Sequence, residues 1–109
     1  MTDLHLTANP DDLHAHVGRA CSLLKVLANE DRLLLLCALN EGPHAVCELE
    51  AKLGIRQPTL SQQLAVLRQN ELVSTERDGK HIRYSLANAD AKRLMHTLWE
   101  IYCASHQQE

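Results

Sequence analysis

The chain has 109 residues, 45% of them apolar and 23% charged, with a formal net charge of −3. That size and make-up suit one folded domain and exclude disordered, collagen-like and low-complexity classes. The longest uninterrupted apolar run, LLLLCAL over 33–39, is far shorter than the ~18 residues of a bilayer span, and residues 1–10 lack a basic stretch followed by an apolar one, so a cytoplasmic protein with no membrane partner is expected.

With twenty leucines, no Phe and only Trp99, Tyr84 and Tyr102 as aromatics, the core is expected to be leucine on helices. Residues 1–9 are read as a flexible N-terminus. Asn9-Pro10-Asp11-Asp12 then supplies a cap, a proline suited to the first helical position and two carboxylates for the positive helix end. The helix runs to residue 28, and Leu13, Val17, Ala20, Leu24 and Leu27 form a heptad-like stripe that needs a partner helix.

Asn29 caps a second helix, read over 32–40, that is apolar almost all round and therefore central; Gly42-Pro43 stops it. A short helix over 45–53, with Val46, Leu49 and Leu53 inward, ends at Gly54, and Pro58 opens a further helix whose core stripe is Leu60, Leu64 and Leu67. Residues 72–77 and 81–86 alternate around Asp78-Gly79-Lys80, a β-hairpin signal. Asn88 caps a last helix, over 88–105, with Leu94, Leu98 and Ile101 on one face. Two helices joined by a glycine turn over 45–69, followed by a hairpin over 72–86, make a winged helix-turn-helix: an α+β fold, mostly helical, in one domain over 1–109.

The charge distribution agrees with that arrangement. Three Lys/Arg face eight Asp/Glu over 1–51, eight face four over 52–93, and none face two over 94–109, so the positive charge lies in the segment read as the DNA-binding unit. Thr59, Ser61 and Gln62 on the outer face of the second helix of the pair are short polar side chains able to enter a major groove. Arg56, Arg68, Arg77, Lys80 and Arg83 are the candidate phosphate contacts. A winged helix that binds only protein is the competing reading.

LKVLANEDRLLLLCAL (24–39), HAVCELEAKLGIRQPTLSQQLAVLRQNELV (44–73) and the wing ERDGKHIRYSL (76–86) resemble the ArsR/SmtB family of bacterial winged-helix repressors over nearly the whole chain. The resemblance implies operator DNA as partner, a homodimer built from the first and last helices (10–28 and 88–105), and base-reading positions at Gln57, Thr59, Ser61 and Gln62. Metal-sensing branches carry two cysteines in an ELCVCDL motif, where this chain has Ala45 and Cys47. Their alternative site on the last helix, for which this chain offers His96, His106 and Glu109, is also damaged, because Leu94 stands where an aspartate is needed and the spacing between the two histidines is one residue short. Cys37 in LLLLCAL and Cys103 in LWEIYCA match instead the persulfide- and redox-sensing branch of BigR, SqrR and HlyU type. The resemblance therefore makes Cys37 and Cys103 the redox sensor pair and a reactive sulfur species the inducer, with one thiol expected to be activated as a thiolate. A metal ion held by Cys37, Cys47, Cys103 and histidines is the alternative inducer.

Cys21 and Cys47 are read as packing residues. The cysteines show no C-x-x-C or finger-like pairing, so no metal ligand or cofactor is assigned. Catalysis is not expected either: the chain has no Gly-rich phosphate loop, G-x-S-x-G or H-E-x-x-H.

Overall fold

The computed structural model describes residues 9–104; the segment read as a flexible N-terminus, Asn9 apart, and His106 and Glu109 lie outside the described residues. Helix α1 spans Pro10–Leu27 and starts as its sequence dictates: the Asn9 side chain accepts the Asp11 N–H at 2.9 Å, Pro10 is the first helical residue and Asp11 and Asp12 sit in the first turn. Helix α2, Glu30–Asn40, begins at the expected cap: the Asn29 side chain accepts the Arg32 N–H at 3.0 Å, and Glu30 and Asp31 fill its positive end.

After α2 the chain forms a strand that its composition does not announce. β1 is only His44–Ala45, too short for any periodicity, and it pairs antiparallel with β3 through His44↔Tyr84 and Ala45↔Arg83. Helix α3, Val46–Leu53, therefore starts one residue later than expected; Ala45 has no side-chain acceptor, but the Glu48 carboxylate reaches back to the Ala45 N–H at 2.7 Å. Gly54 ends α3 in the left-handed region, φ 72°, where a side chain would be strained.

Helix α4, Thr59–Gln69, follows, with Pro58 just ahead of its first turn. Strands β2 (Val73–Asp78) and β3 (His81–Leu86) form the wing. Asp78 is not part of the turn: it pairs with His81, leaving Gly79 (φ 64°) and Lys80 as a two-residue loop. The sheet order is β1-β3-β2. Helix α5, Ala89–Trp99, is capped by Asn88 through the Ala91 N–H at 2.8 Å and gives way to a π-helical turn over Glu100–Ala104; a five-residue stretch cannot reveal that change of pitch in its apolar spacing.

One apolar cluster joins these elements. Leu35, Leu36, Ala38 and Leu39 of α2 pack against Leu60, Leu64 and Leu67 of α4, Leu49 of α3, Leu86 of β3 and Met95 of α5. Every buried side chain among the described residues is apolar. The stripe on α1 behaves differently: Leu27 is buried, whereas Val17 and Leu24 are 51% and 58% exposed, and Ile101 beyond α5 is 55% exposed. Cys21 and Cys47 are exposed as well, so neither packs into the core of the chain.

Leu64, 1% exposed, lies where α4 meets α2, and Leu64→Ala should cost ~2–5 kcal/mol through lost transfer energy and a residual cavity. Urea unfolding would show this as a lower midpoint at an unchanged slope.

Candidate nucleic-acid interface and dithiol pair

The buried face of α4 (Leu60, Leu64, Leu67) turns its other face outward, and Ser61, Gln62, Arg68 and Gln69 are exposed while Thr59 is half-buried. Gln57, in the turn before α4, is exposed, and its Oε1 accepts the Ser61 N–H at 3.2 Å. Pro58 offers no side-chain acceptor, so this contact satisfies one of the free N–H groups of the first turn. Arg56, Arg77 and Lys80 are also exposed.

Arg83 is placed differently from the other wing cations. Its Nε–H donates to Asp78 Oδ2 at 2.8 Å and its Nη1 donates to Glu48 Oε1 at 3.3 Å. The Asp78 hydrogen bond and the Glu48 charge hold the guanidinium above its ordinary pKa. Glu48 in turn is held below the usual carboxylate range, first by the Ala45 N–H and then by the charges of Arg83, His44 and His81, against a smaller opposing cost of desolvation. One carboxylate thus ties the start of α3 to the wing. Beside it, Lys52 bonds Glu41 and keeps that carboxyl below its ordinary value.

Cys37 on α2 and Cys103 in the π-helical turn are both exposed free thiols. The Cys37 thiol is pushed above its ordinary pKa, first by desolvation in its partly covered position, then by Cys103, then by Glu41 one turn along α2. For Cys37 this is opposite to the shift expected of an activated thiolate. His96 pairs with Glu100 at 3.5 Å and stacks on Trp99 with ring centroids 6.5 Å apart. Among the described residues no three of His, Cys, Asp and Glu converge on a point where an ion could sit.

Sequence reasoning passed over Arg32. Its side chain contacts α1 through the Val26 carbonyl (2.7 Å) and the Lys25 carbonyl (3.3 Å), and α4 through Gln63 Oε1 (2.8 Å). The available signal was a single arginine at the head of a leucine run.

Residues 29–75 match the family model for bacterial regulatory proteins of the arsR family. The chain is similar to the biofilm growth-associated repressor of Xylella fastidiosa strain 9a5c, with 44% identity over 104 residues, covering 95% of this chain and 90% of the relative. Among solved structures it is similar to the transcriptional repressor BigR from Xylella fastidiosa, with a TM-score of 0.82 and 44% identity over 89% of this chain and 96% of that one. It is similar also to reduced HlyU from Vibrio cholerae N16961, with a TM-score of 0.80 and 36% identity over 84% and 97%.

If a Cys103 thiolate opposes ionisation of Cys37, Cys103→Ser should move the pH midpoint of Cys37 alkylation downward, towards the ordinary thiol value. The measurement needs Cys21 and Cys47 replaced by serine and alkylation at Cys37 followed separately from that at Cys103 by peptide mass spectrometry; an unmoved midpoint would mean that the two thiols do not sense each other.

Proposed function

Because the chain belongs to the arsR family of bacterial regulatory proteins, and is a winged-helix, DNA-binding transcriptional regulator rather than an enzyme, we propose that it acts as a homodimeric repressor. In this reading it holds operator DNA until sulfane sulfur bridges Cys37 and Cys103. What supports the switch is that both are exposed free thiols, one on α2 and one just beyond α5, with the Cys103 charge among the causes that raise the Cys37 pKa.

The dimer rests on the exposed apolar side chains of α1 and of the segment after α5. Val17, Leu24 and Ile101 are each more than half exposed, and burying one leucine is worth roughly 1.5–3 kcal/mol. Two chains joined along these faces would present two copies of α4 to successive half-sites. Gln57, Thr59, Ser61 and Gln62 then face base edges, while Arg56, Arg68, Arg77 and Lys80 neutralise phosphates. Arg83 belongs to the same basic surface, but Asp78 and Glu48 already compensate its charge.

The switch chemistry balances with a persulfide as the only co-reactant. A thiolate at Cys103 attacks the outer sulfur of R–S–SH, the donor's S–S bond breaks, RS⁻ leaves and Cys103–S–SH remains. Cys37, whose pKa is raised by its partial burial, is persulfidated by a second donor in the same way. Condensation of the two persulfides then forms a trisulfide and expels H₂S. Overall, two protein thiols and two R–S–SH yield one trisulfide, two RSH and one H₂S. The inserted sulfur extends reach where a direct disulfide would need Cα atoms within ~7 Å, and closure pulls α2 against the end of α5.

Leu24→Glu should yield monomers in sedimentation with the fold intact, since Leu24 is 58% exposed, and should abolish tight operator binding. Gln62→Ala should weaken operator binding by ~1–3 kcal/mol with little effect on a scrambled duplex. Arg77→Ala should flatten the salt dependence by about one unit, and Arg83→Ala by clearly less. Treatment with a low-molecular-weight persulfide should release operator and give, by mass spectrometry, a Cys37–Cys103 bridge one sulfur heavier than a disulfide. An undiminished inducer response in the Cys37→Ser, Cys103→Ser double variant would overturn the switch, and equal wild-type affinity for operator and scrambled duplexes would overturn operator reading.

A further inference from the structure

We propose that Arg32 is a positioning residue that sets the angle between α1 and α4, and so the separation of the two recognition helices in the assembled repressor; the inference rests on the dimeric, operator-reading function above. Three elements meet at its guanidinium. Arg32 stands in the first turn of α2, where its own N–H is held by Asn29 Oδ1 at 3.0 Å. From there Nε donates to the Val26 carbonyl at 2.7 Å and Nη2 to the Lys25 carbonyl at 3.3 Å, both in the last turn of α1, whose carbonyls have no partner within their own helix. Nη1 donates to Gln63 Oε1 of α4 at 2.8 Å.

The chemistry of the contact set points to geometry rather than charge neutralisation. Arg32 has no carboxylate partner among the described residues; its acceptors are two main-chain carbonyls and one neutral amide. A cation at the C-terminal end of α1 is favoured by the helix dipole, and the planar guanidinium spreads its N–H donors over three nitrogens in fixed directions, where a lysine ammonium gathers its three donors on one atom. Both α1 and α4 pack on α2, and neither leans extensively on the other. The guanidinium is therefore a direct polar tie between the helix with the exposed apolar stripe and the helix with the exposed polar face. Gln63 is half-buried, unlike its exposed neighbour Gln62: adjacent glutamines on α4 have different surroundings.

In a symmetric dimer joined through α1, a small rotation of α4 against α1 is applied twice, once per protomer, and changes the distance between the recognition helices. Half-site spacing on DNA is fixed by the helical repeat, so the tie should be read out as a spacing preference. The test uses the full chain and a duplex selected from a randomised pool by the wild-type protein, with versions in which the half-sites are moved together or apart by one base pair. Arg32→Lys retains the charge and removes the fork; Gln63→Leu removes only the α4 acceptor.

Each variant is expected to remain dimeric in sedimentation and to lose operator affinity about tenfold, the equivalent of 1.4 kcal/mol. Affinity for a scrambled duplex should not change, and the discrimination between spacings should shrink; the double variant should be no worse than either single one. Wild-type affinity and spacing preference in both single variants would overturn the proposal. So would equal losses on operator and scrambled duplexes that run parallel to a lowered Tm, the mark of a merely structural contact. A wild type that selects no duplex would overturn the operator-reading function itself, and the tie with it.

Discussion

Everything in this molecule is arranged around the need to cover α2. Leu35, Leu36, Ala38 and Leu39 are at most 3% exposed, and a helix that is apolar on nearly every side is stable in water only when neighbours enclose it. α1, α3, α4, α5 and β3 all supply that cover. Their directions are therefore set by one common partner, and the outward faces they are left with are the faces the protein can use. The polar side of α4 is outward because Leu60, Leu64 and Leu67 are committed to the α2 side, and the wing stands where it does because Leu86 and Tyr84 join the same cluster.

A chain of 109 residues has too little interior to finish the job for every apolar side chain. Once α2 is enclosed, the stripe on α1 and the residues beyond α5 are left over, and Val17, Leu24, Trp99, Ile101 and Tyr102 stay on the surface. The same shortage of cover leaves Cys37 outside the core although it belongs to the most buried helix, and leaves Cys103 exposed as well. Partial cover is what raises the Cys37 pKa: it excludes enough water to disfavour the thiolate without removing the sulfur from the surface.

The polar contacts then tie the outer elements to one another. Glu48 links the β1–α3 junction to Arg83 of the wing, and Arg32 links the end of α1 to α4. The Glu48–Arg83 pair is no large store of stability, since it is substantially exposed and exposed ion pairs contribute little. The effect of the two contacts is directional: the Arg32 contact joins α1 to α4, which otherwise meet mainly through α2, and the Glu48 contact adds a side-chain bond where β1 already pairs with β3.

Local rules were enough to read α1, α2, α4 and α5, since Asn9, Asn29 and Asn88 act as caps through their own neighbours and the leucine spacing is a property of the helix itself. The helix-turn-helix and the wing followed from order and from Gly54 and Gly79, whose positive φ values are local requirements. What escaped were features whose partners lie far along the chain. β1 exists only because β3 offers it an edge. Arg83 was read as a wing phosphate contact, but folding brings Glu48, 35 residues away, beside it, and Gln63, for which no role was read, bonds Arg32, 31 residues away. Caps, turns and apolar periodicity are decided within a few residues and so are written in the sequence alone. Which exposed charge has a partner, which thiol is shielded and which glutamine faces inward depend on distances across the chain, and only the packing of the helices around α2 sets those.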